Sequence, residues 1–220
     1  MTGLGAVGEL ESARVTRILR DDIVLGRRLP GTKLIERDIA AELHVSRLPV
    51  REAIRALVGE GVVVARPRSW AVVREFTVRD LYDLSEVRES VETLIFVFAA
   101  ERHDDAGIER LRAALEREES AARAGDTEAA RIAAGRFHEI VSELAGNEML
   151  DELIRVFITR LQWLFGQHDD LVAMAAEHRI IFDALIARDV DALRVLVPRH
   201  LAAGRATAER VLLARAASSD

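Results

Sequence analysis

Two sets of residues in this chain have the spacing to do chemistry. The first is Arg47, Arg51 and Arg55, which recur at every fourth position and so line one edge of any helix that carries them. Guanidinium groups on an open helical face bind phosphate oxygens and the O6 and N7 edge of guanine in a major groove. The second set is His138, His178 and His200. His178 keeps helical register with Ile181, Phe182 and Leu185, His200 with Leu193, Leu196 and Val197, and His138 with Ala134, Val141 and Ala145. Three segments thus each carry one imidazole, His178 and His200 aimed at an apolar interior and His138 on an inward or boundary face. Such a trio can hold zinc or another borderline metal with a coordination position left open. Three unrelated core histidines, each hydrogen-bonded within a bundle, fit the same periodicity.

The arginines need a helix pair to present them, and residues 36–57 supply one. Ile39, Ala40 and Leu43 make the apolar face of a short first helix, and His44 and Val45 interrupt it. Ser46 is placed as the N-cap of the second helix, its hydroxyl accepting from a backbone N–H, and Pro49 sits in the first turn. Val50, Ala53, Ile54 and Leu57 then form the buried stripe. Gly61 closes the helix, and Val62 to Ala65 and Ala71 to Val73 read as a β-hairpin around a basic tip, Arg66-Pro67-Arg68-Ser69-Trp70. A helix-turn-helix followed by a hairpin is a winged helix. Upstream, Leu10, Val15, Ile18, Leu19 and Ile23 mark a first helix ending near Gly26, after which Arg27 and Arg28 read as solvated within a turn-rich connection. The glycine-rich residues 1–8 are expected to be mobile.

The histidines need a bundle. From Val78 onward the pattern is helical throughout, with helices expected over 78–102, 106–124, 127–144, 148–166, 171–188 and 190–215 and breaks that include His168 to Asp170. Thr77 and Asp80 form a capping box, with Phe76 placed to staple onto Leu81. The fold class is therefore mainly α: a winged helix in residues 1–75 and an all-α bundle of about six helices in 76–220. Arg88 reads as one half of an exposed i, i+4 pair with Glu92; Glu116, Glu118, Glu119 and Asp169-Asp170 read as solvated acidic faces or caps. Pro198 stands inside the last helix, two residues before His200.

Charge supports the division. Residues 1–75 carry 13 Lys or Arg against 10 Asp or Glu, whereas the rest carries 18 against 27, so a chain of net charge −6 holds a basic first part. With no cysteine, disulfides and thiolate metal sites are excluded. Few aromatics argue against base stacking on single strands. The start of the chain lacks a basic leader pattern and no apolar run reaches membrane length, so a soluble cytoplasmic protein is expected, with no membrane partner.

The residues from Leu29 to Val64 resemble the GntR family of bacterial transcription regulators. The match rests on Pro30-Gly31, Glu36, Ala40 to Leu43, Val45-Ser46-Arg47, Pro49-Val50-Arg51-Glu52-Ala53, Leu57, Glu60 and Gly61. It implies operator contacts from Arg37, Arg47 and Arg51, with Ser46 and Leu48 at the leading end of the recognition helix and Arg66 on the wing. Trp70 departs from the family, which has glycine at that point of the wing. Further on, Arg136-Phe137-His138, Gly146-Asn147, Glu177-His178 and Arg199-His200-Leu201 resemble the FCD effector domain of the family's FadR branch. In its metal-binding members an aspartate joins three histidines, which correspond to His138, His178 and His200. The aspartate position is Ala134 here, and a divalent zinc or nickel-like ion at the three histidines is what the resemblance implies. The same resemblance turns Arg88 toward an effector cavity, where a guanidinium suits a small organic acid.

The reading that results is a DNA-binding transcription regulator, a repressor, controlled by a small-molecule effector. It is expected to be a homodimer on a palindromic double-stranded operator, because one short recognition helix reads few base pairs. The rival is a helical metalloenzyme built on the three histidines, and it leaves the winged helix unexplained.

Overall fold

A computed structural model describes residues 10–66, 70–165 and 170–217, and divides the chain into two compact units, Met1–Glu75 and Phe76–Asp220. The glycine-rich start, residues 67–69 of the wing tip and the break at His168 and Asp169 lie outside the described residues.

The first unit runs α1 (Glu11–Val24), β1 (Lys33–Leu34), α2 (Glu36–Glu42), α3 (Arg47–Gly59), β2 (Val63–Val64) and β3 (Ala71–Val73). Val15, Leu19 and Ile23 of α1 pack on the stripe of α3, with Val50 and Leu57 fully buried. Leu10 is instead exposed, because it occupies the N-cap position ahead of α1 and never joins its stripe. The expected hairpin forms, with Val63 opposite Val73 and Val64 opposite Val72. A third strand, not expected from the sequence, completes the sheet in the order β1-β3-β2. It follows a turn at Gly31 (φ 79°), whose N–H donates to Val73 O at 2.9 Å while Val73 N–H donates to Thr32 O at 2.9 Å. Arg28 is likewise not solvated: its guanidinium donates to Asp22 at 3.2 Å and to Glu42 at 2.7 Å, tying α1 to α2.

The second unit is α4 (Val78–Arg102), α5 (Asp105–Ala124), α6 (Thr127–Ala145), α7 (Glu148–Phe165), α8 (Leu171–Ile186) and α9 (Val190–Ala217). Each start has a side-chain cap: the Thr77 and Asp80 box, then Asp104, Asp126, Asn147, Asp170 and Asp189, each accepting from the N–H three residues on. Such caps contribute roughly 1 kcal/mol each, which is why these boundaries can be read locally. Phe76 lies against Trp163, ring centroids 4.9 Å apart. α4 packs on α6, α7, α8 and α9, and α5 on α6 and α8, around a core that includes Phe96, Phe137 and Phe182. No described helix is long and apolar enough to cross a membrane.

One close approach sets the start of α5. A Cβ built on Gly107 would overlap the buried Leu144 side chain of α6 and lie 2.9 Å from Asp104 Oδ1. Gly107→Ala is therefore expected to destabilise the protein by about 1–3 kcal/mol through overpacking, measured by guanidinium unfolding; unchanged stability would contradict this packing of α5 on α6.

Candidate functional site

In the first unit, α3 buries Pro49, Val50, Ala53, Ile54 and Leu57 and leaves Arg47, Arg51 and Arg55 exposed. Glu36, the first residue of α2, orients two of them. Arg51 donates to its two oxygens from Nε and Nη2, both at 2.8 Å, and Arg47 donates at 3.3 Å. The hydrogen bond from Arg51, with the two positive charges, holds the Glu36 carboxyl below its usual range against the cost of its burial. The Arg51 side chain stays 45% exposed, so its fork is positioned and still presented outward. Leu48, 61% exposed, projects from the leading end of α3 beside the exposed Ser46. Ser46 does occupy the N-cap position, but its hydroxyl makes no capping bond. The third helical residue is Pro49, which has no N–H to donate. Arg37 is exposed and paired with its neighbour Asp38 at 2.9 Å, and Arg66 is exposed just beyond β2. Trp70, ahead of β3, carries the Lys33 ammonium 4.2 Å from its ring centroid, a cation–π contact across the sheet.

In the second unit the three histidines meet. α6 delivers His138, α8 His178 and α9 His200, and one potential ligand atom from each lies within 4.8 Å of the others. His178 Nε2 and His200 Nε2 are 3.2 Å apart. Each Nδ1 faces a carboxylate. His178 Nδ1 lies 2.8 Å from both oxygens of Glu118 on α5, His200 Nδ1 lies 2.8 Å from Glu177 on α8, and His138 Nδ1 lies 3.1 Å from Glu92 on α4. The last pair is close but out of line for a hydrogen bond. Phe137 stacks on the His178 ring at 4.6 Å and 12°.

Burial dominates the electrostatics. It pushes the Glu118 carboxyl up to about 8, with the charge of Glu119 adding to the effect. It also lowers His200, more than the hydrogen bond to Glu177 raises it, so that imidazole is held neutral. Burial opposes ionisation of Glu92 as well, yet Arg88 and His138 outweigh it and keep this carboxyl well below its usual range. The chain Glu118, His178, His200, Glu177 can share one proton between the two Nε2 atoms. Alternatively, those lone pairs can converge on a cation.

Two expectations change. Arg88 pairs with Glu92 as expected, Nε donating at 2.6 Å, but both side chains are buried and the guanidinium lies over the Phe165 ring at 4.3 Å. Glu118 is not part of a solvated acidic face: it is fully buried. Its position three after Leu115 and four before Ala122 puts it inside the apolar stripe of α5, a signal visible in the sequence. Glu119, one residue on, is partly buried and pairs with Arg179 of α8 at 2.8 Å. Ala134 packs with Ala130, Leu171 and Met174 in an apolar cluster, so its place in α6 offers the histidines no ligand.

Two family models account for most of this architecture. The one described as "Bacterial regulatory proteins, gntR family" matches residues 11–73, and the FCD domain model matches residues 83–203. The chain belongs to the GntR family. It is a DNA-binding transcriptional regulator whose C-terminal FCD domain binds an effector. The chain is 27% identical over 192 residues to the HTH-type transcriptional repressor RspR of Escherichia coli (strain K12), covering 86% of this chain and 84% of that protein. It is 29% identical over 206 residues to the galactonate operon transcriptional repressor of the same strain, covering 81% and 88%. A solved GntR-type putative transcriptional regulator from Rhodococcus sp. RHA1 superposes with a TM-score of 0.77 at 29% identity, over 91% of this chain and 98% of that one. The family consists of regulators and not enzymes, which sets aside the metalloenzyme reading of the histidines.

The exposed arginines of this GntR-family regulator are expected to separate two kinds of DNA contact. Arg51→Ala should lower operator affinity about 10- to 100-fold and relax discrimination at one base position, as loss of a bidentate base contact does. Arg37→Ala should weaken all duplexes alike and reduce the salt slope by about 1. Both are read by fluorescence anisotropy at several salt concentrations; an Arg51→Ala protein with unchanged affinity and discrimination would exclude Arg51 from the interface.

Proposed function

We propose that the protein is a homodimeric repressor that reads a palindromic operator and holds a divalent metal ion at His138, His178 and His200 in its effector domain. The observation that carries the metal assignment is the convergence of the imidazoles, two of them hydrogen-bonded at Nδ1 to a carboxylate and the third with Glu92 3.1 Å from its Nδ1. Ligating histidines are commonly oriented in this way. The His178 and His200 Nε2 atoms, 3.2 Å apart, are spaced close to the edge of about 3.3 Å between two nitrogens in tetrahedral zinc coordination. Two lone pairs at that distance repel unless a proton or a cation lies between them. With Ala134 in the place of an aspartate, the protein supplies three neutral donors, which still leaves coordination open. A bound zinc or nickel-like ion would supply a Lewis-acid contact for an oxygen of the effector. Arg88 serves this site indirectly: its guanidinium is engaged by Glu92 and stacked on Phe165, so it holds Glu92 in place rather than clamping an organic acid.

The repressor reading draws on the two named repressors above. In it, Arg37, Arg47, Arg51 and Arg66 contact the operator with Ser46 and Leu48. Effector control requires that the effector favour one of two arrangements of the dimer over the other.

Protein supplemented with zinc or nickel and purified without chelator is expected to carry about one ion per three-histidine site, by plasma mass spectrometry. His178→Ala with His200→Ala should abolish it. A metal-free wild type under these conditions would overturn the assignment and leave the shared proton as the bond between the two histidines. Sedimentation at twice the 24.4 kDa chain mass is expected for the dimer, and sedimentation at the chain mass would exclude it.

A further inference from the structure

Leu48 is 61% exposed, and among the large apolar side chains of α3 it alone faces solvent. It is the second residue of the helix, just ahead of the buried stripe that begins at Pro49. Each helical position turns by about 100°, which sets Leu48 on one outward arc with Arg51 three residues on, Glu52 four on and Arg55 seven on, all exposed. Its neighbours on that arc are therefore charged. Nor does helix initiation account for a leucine at this position. The N-cap is Ser46, and a hydrophobic staple would join Val45, before the cap, to Val50, the fourth helical residue.

What suits the leucine is set by the surface this helix meets. The leading residues of a recognition helix contact base edges in the major groove. Those edges display hydrogen-bond donors and acceptors on all four bases and a single methyl group, at C5 of thymine. Leucine laid on a donor or acceptor strips water from it and returns no hydrogen bond, which is a cost. Laid on the thymine methyl, it buries apolar surface on both partners. The same side chain thus attracts one base and penalises the polar edges of the others. Arg47 and Arg51, held by Glu36 of α2, supply the polar half of the face. Three helical residues advance about 4.5 Å along the axis, against about 3.4 Å for each base pair, so the bases reached by Leu48 and Arg51 lie about one or two pairs apart.

We propose that Leu48 selects a thymine of the operator by packing on its C5 methyl group, beside the base that Arg51 contacts. The inference rests on the reading of α3 as the operator-contacting helix and names the base on which one of its residues acts. The probe is the tightest duplex that the full-length protein selects from a randomised library. Each thymine in it is replaced in turn by deoxyuridine, which removes the methyl and leaves every hydrogen-bonding group in place. Affinity is read by fluorescence anisotropy for the wild type and for Leu48→Ser. At the thymine that Leu48 meets, uracil is expected to weaken the wild type about fourfold, the factor that burial of one methyl-sized group gives. Leu48→Ser should bind the thymine and uracil duplexes alike. Because Leu48 is exposed, the substitution leaves the fold intact. A uracil effect that persists unchanged in Leu48→Ser, or a wild type indifferent to uracil at every position, would overturn the methyl assignment, while binding of the selected duplex leaves the operator reading standing. A library from which the wild type enriches no sequence would overturn both.

Discussion

The helical domain depends on one constraint: a carboxylate or imidazole taken out of water must be paired. Glu118 and His178 are both buried in the bundle, 2.8 Å apart, and the chain of contacts continues through His200 to Glu177. Removing one partner of such a pair leaves the other unsatisfied in a low-dielectric interior, which costs far more than an exposed pair contributes. Because these groups come from α5, α8 and α9, with α4 and α6 supplying Glu92 and His138, five helices must hold their registers together. The polar chain therefore selects one arrangement of an interior that aliphatic packing alone would define loosely.

The same pairing logic operates more gently in the winged helix. Glu36 holds Arg51 with two parallel hydrogen bonds in solvent, where the ion pair adds little stability. What it adds is direction. A guanidinium fork already oriented loses less conformational freedom on meeting a base edge or phosphate. The apolar stripe of α3 on α1 fixes the helix that carries it, and Leu48 stands exposed at the helix's leading end, where burial in the protein does not explain it. The two units thus treat charge in opposite ways, presented outward on one and enclosed in the other.

Enclosure also explains how a domain of this kind can report on a small molecule. Glu92, His138 and Ser142 line a cavity beside the histidine cluster, with Glu92 held by Arg88 at 2.6 Å and His138 Nδ1 3.1 Å from Glu92. These groups lie on α4 and α6, which pack directly on each other. A ligand that fitted the cavity better in one arrangement of these helices would favour that arrangement, and only such a difference in affinity can shift an equilibrium between two arrangements.

By itself the sequence determined the elements and their kind. Apolar periodicity and local caps such as Thr77, Asp104 and Asp126 act within a few residues, so the helix boundaries and the helix-turn-helix with its hairpin could be read before any packing was known. The inward register of His138, His178 and His200 was legible for the same reason. The two-residue strand Lys33–Leu34 was not, because it is too short to show alternation and exists only through its pairing with β3. Nor was the burial of Arg88 with Glu92, since i, i+4 spacing describes a helix face without saying what covers it. Tertiary structure alone decided that the three imidazoles converge, that Glu118 stands behind one of them, and that a cavity opens beside them. Those are distances between helices far apart in the chain, set by how side chains interlock, and no local rule of spacing contains them.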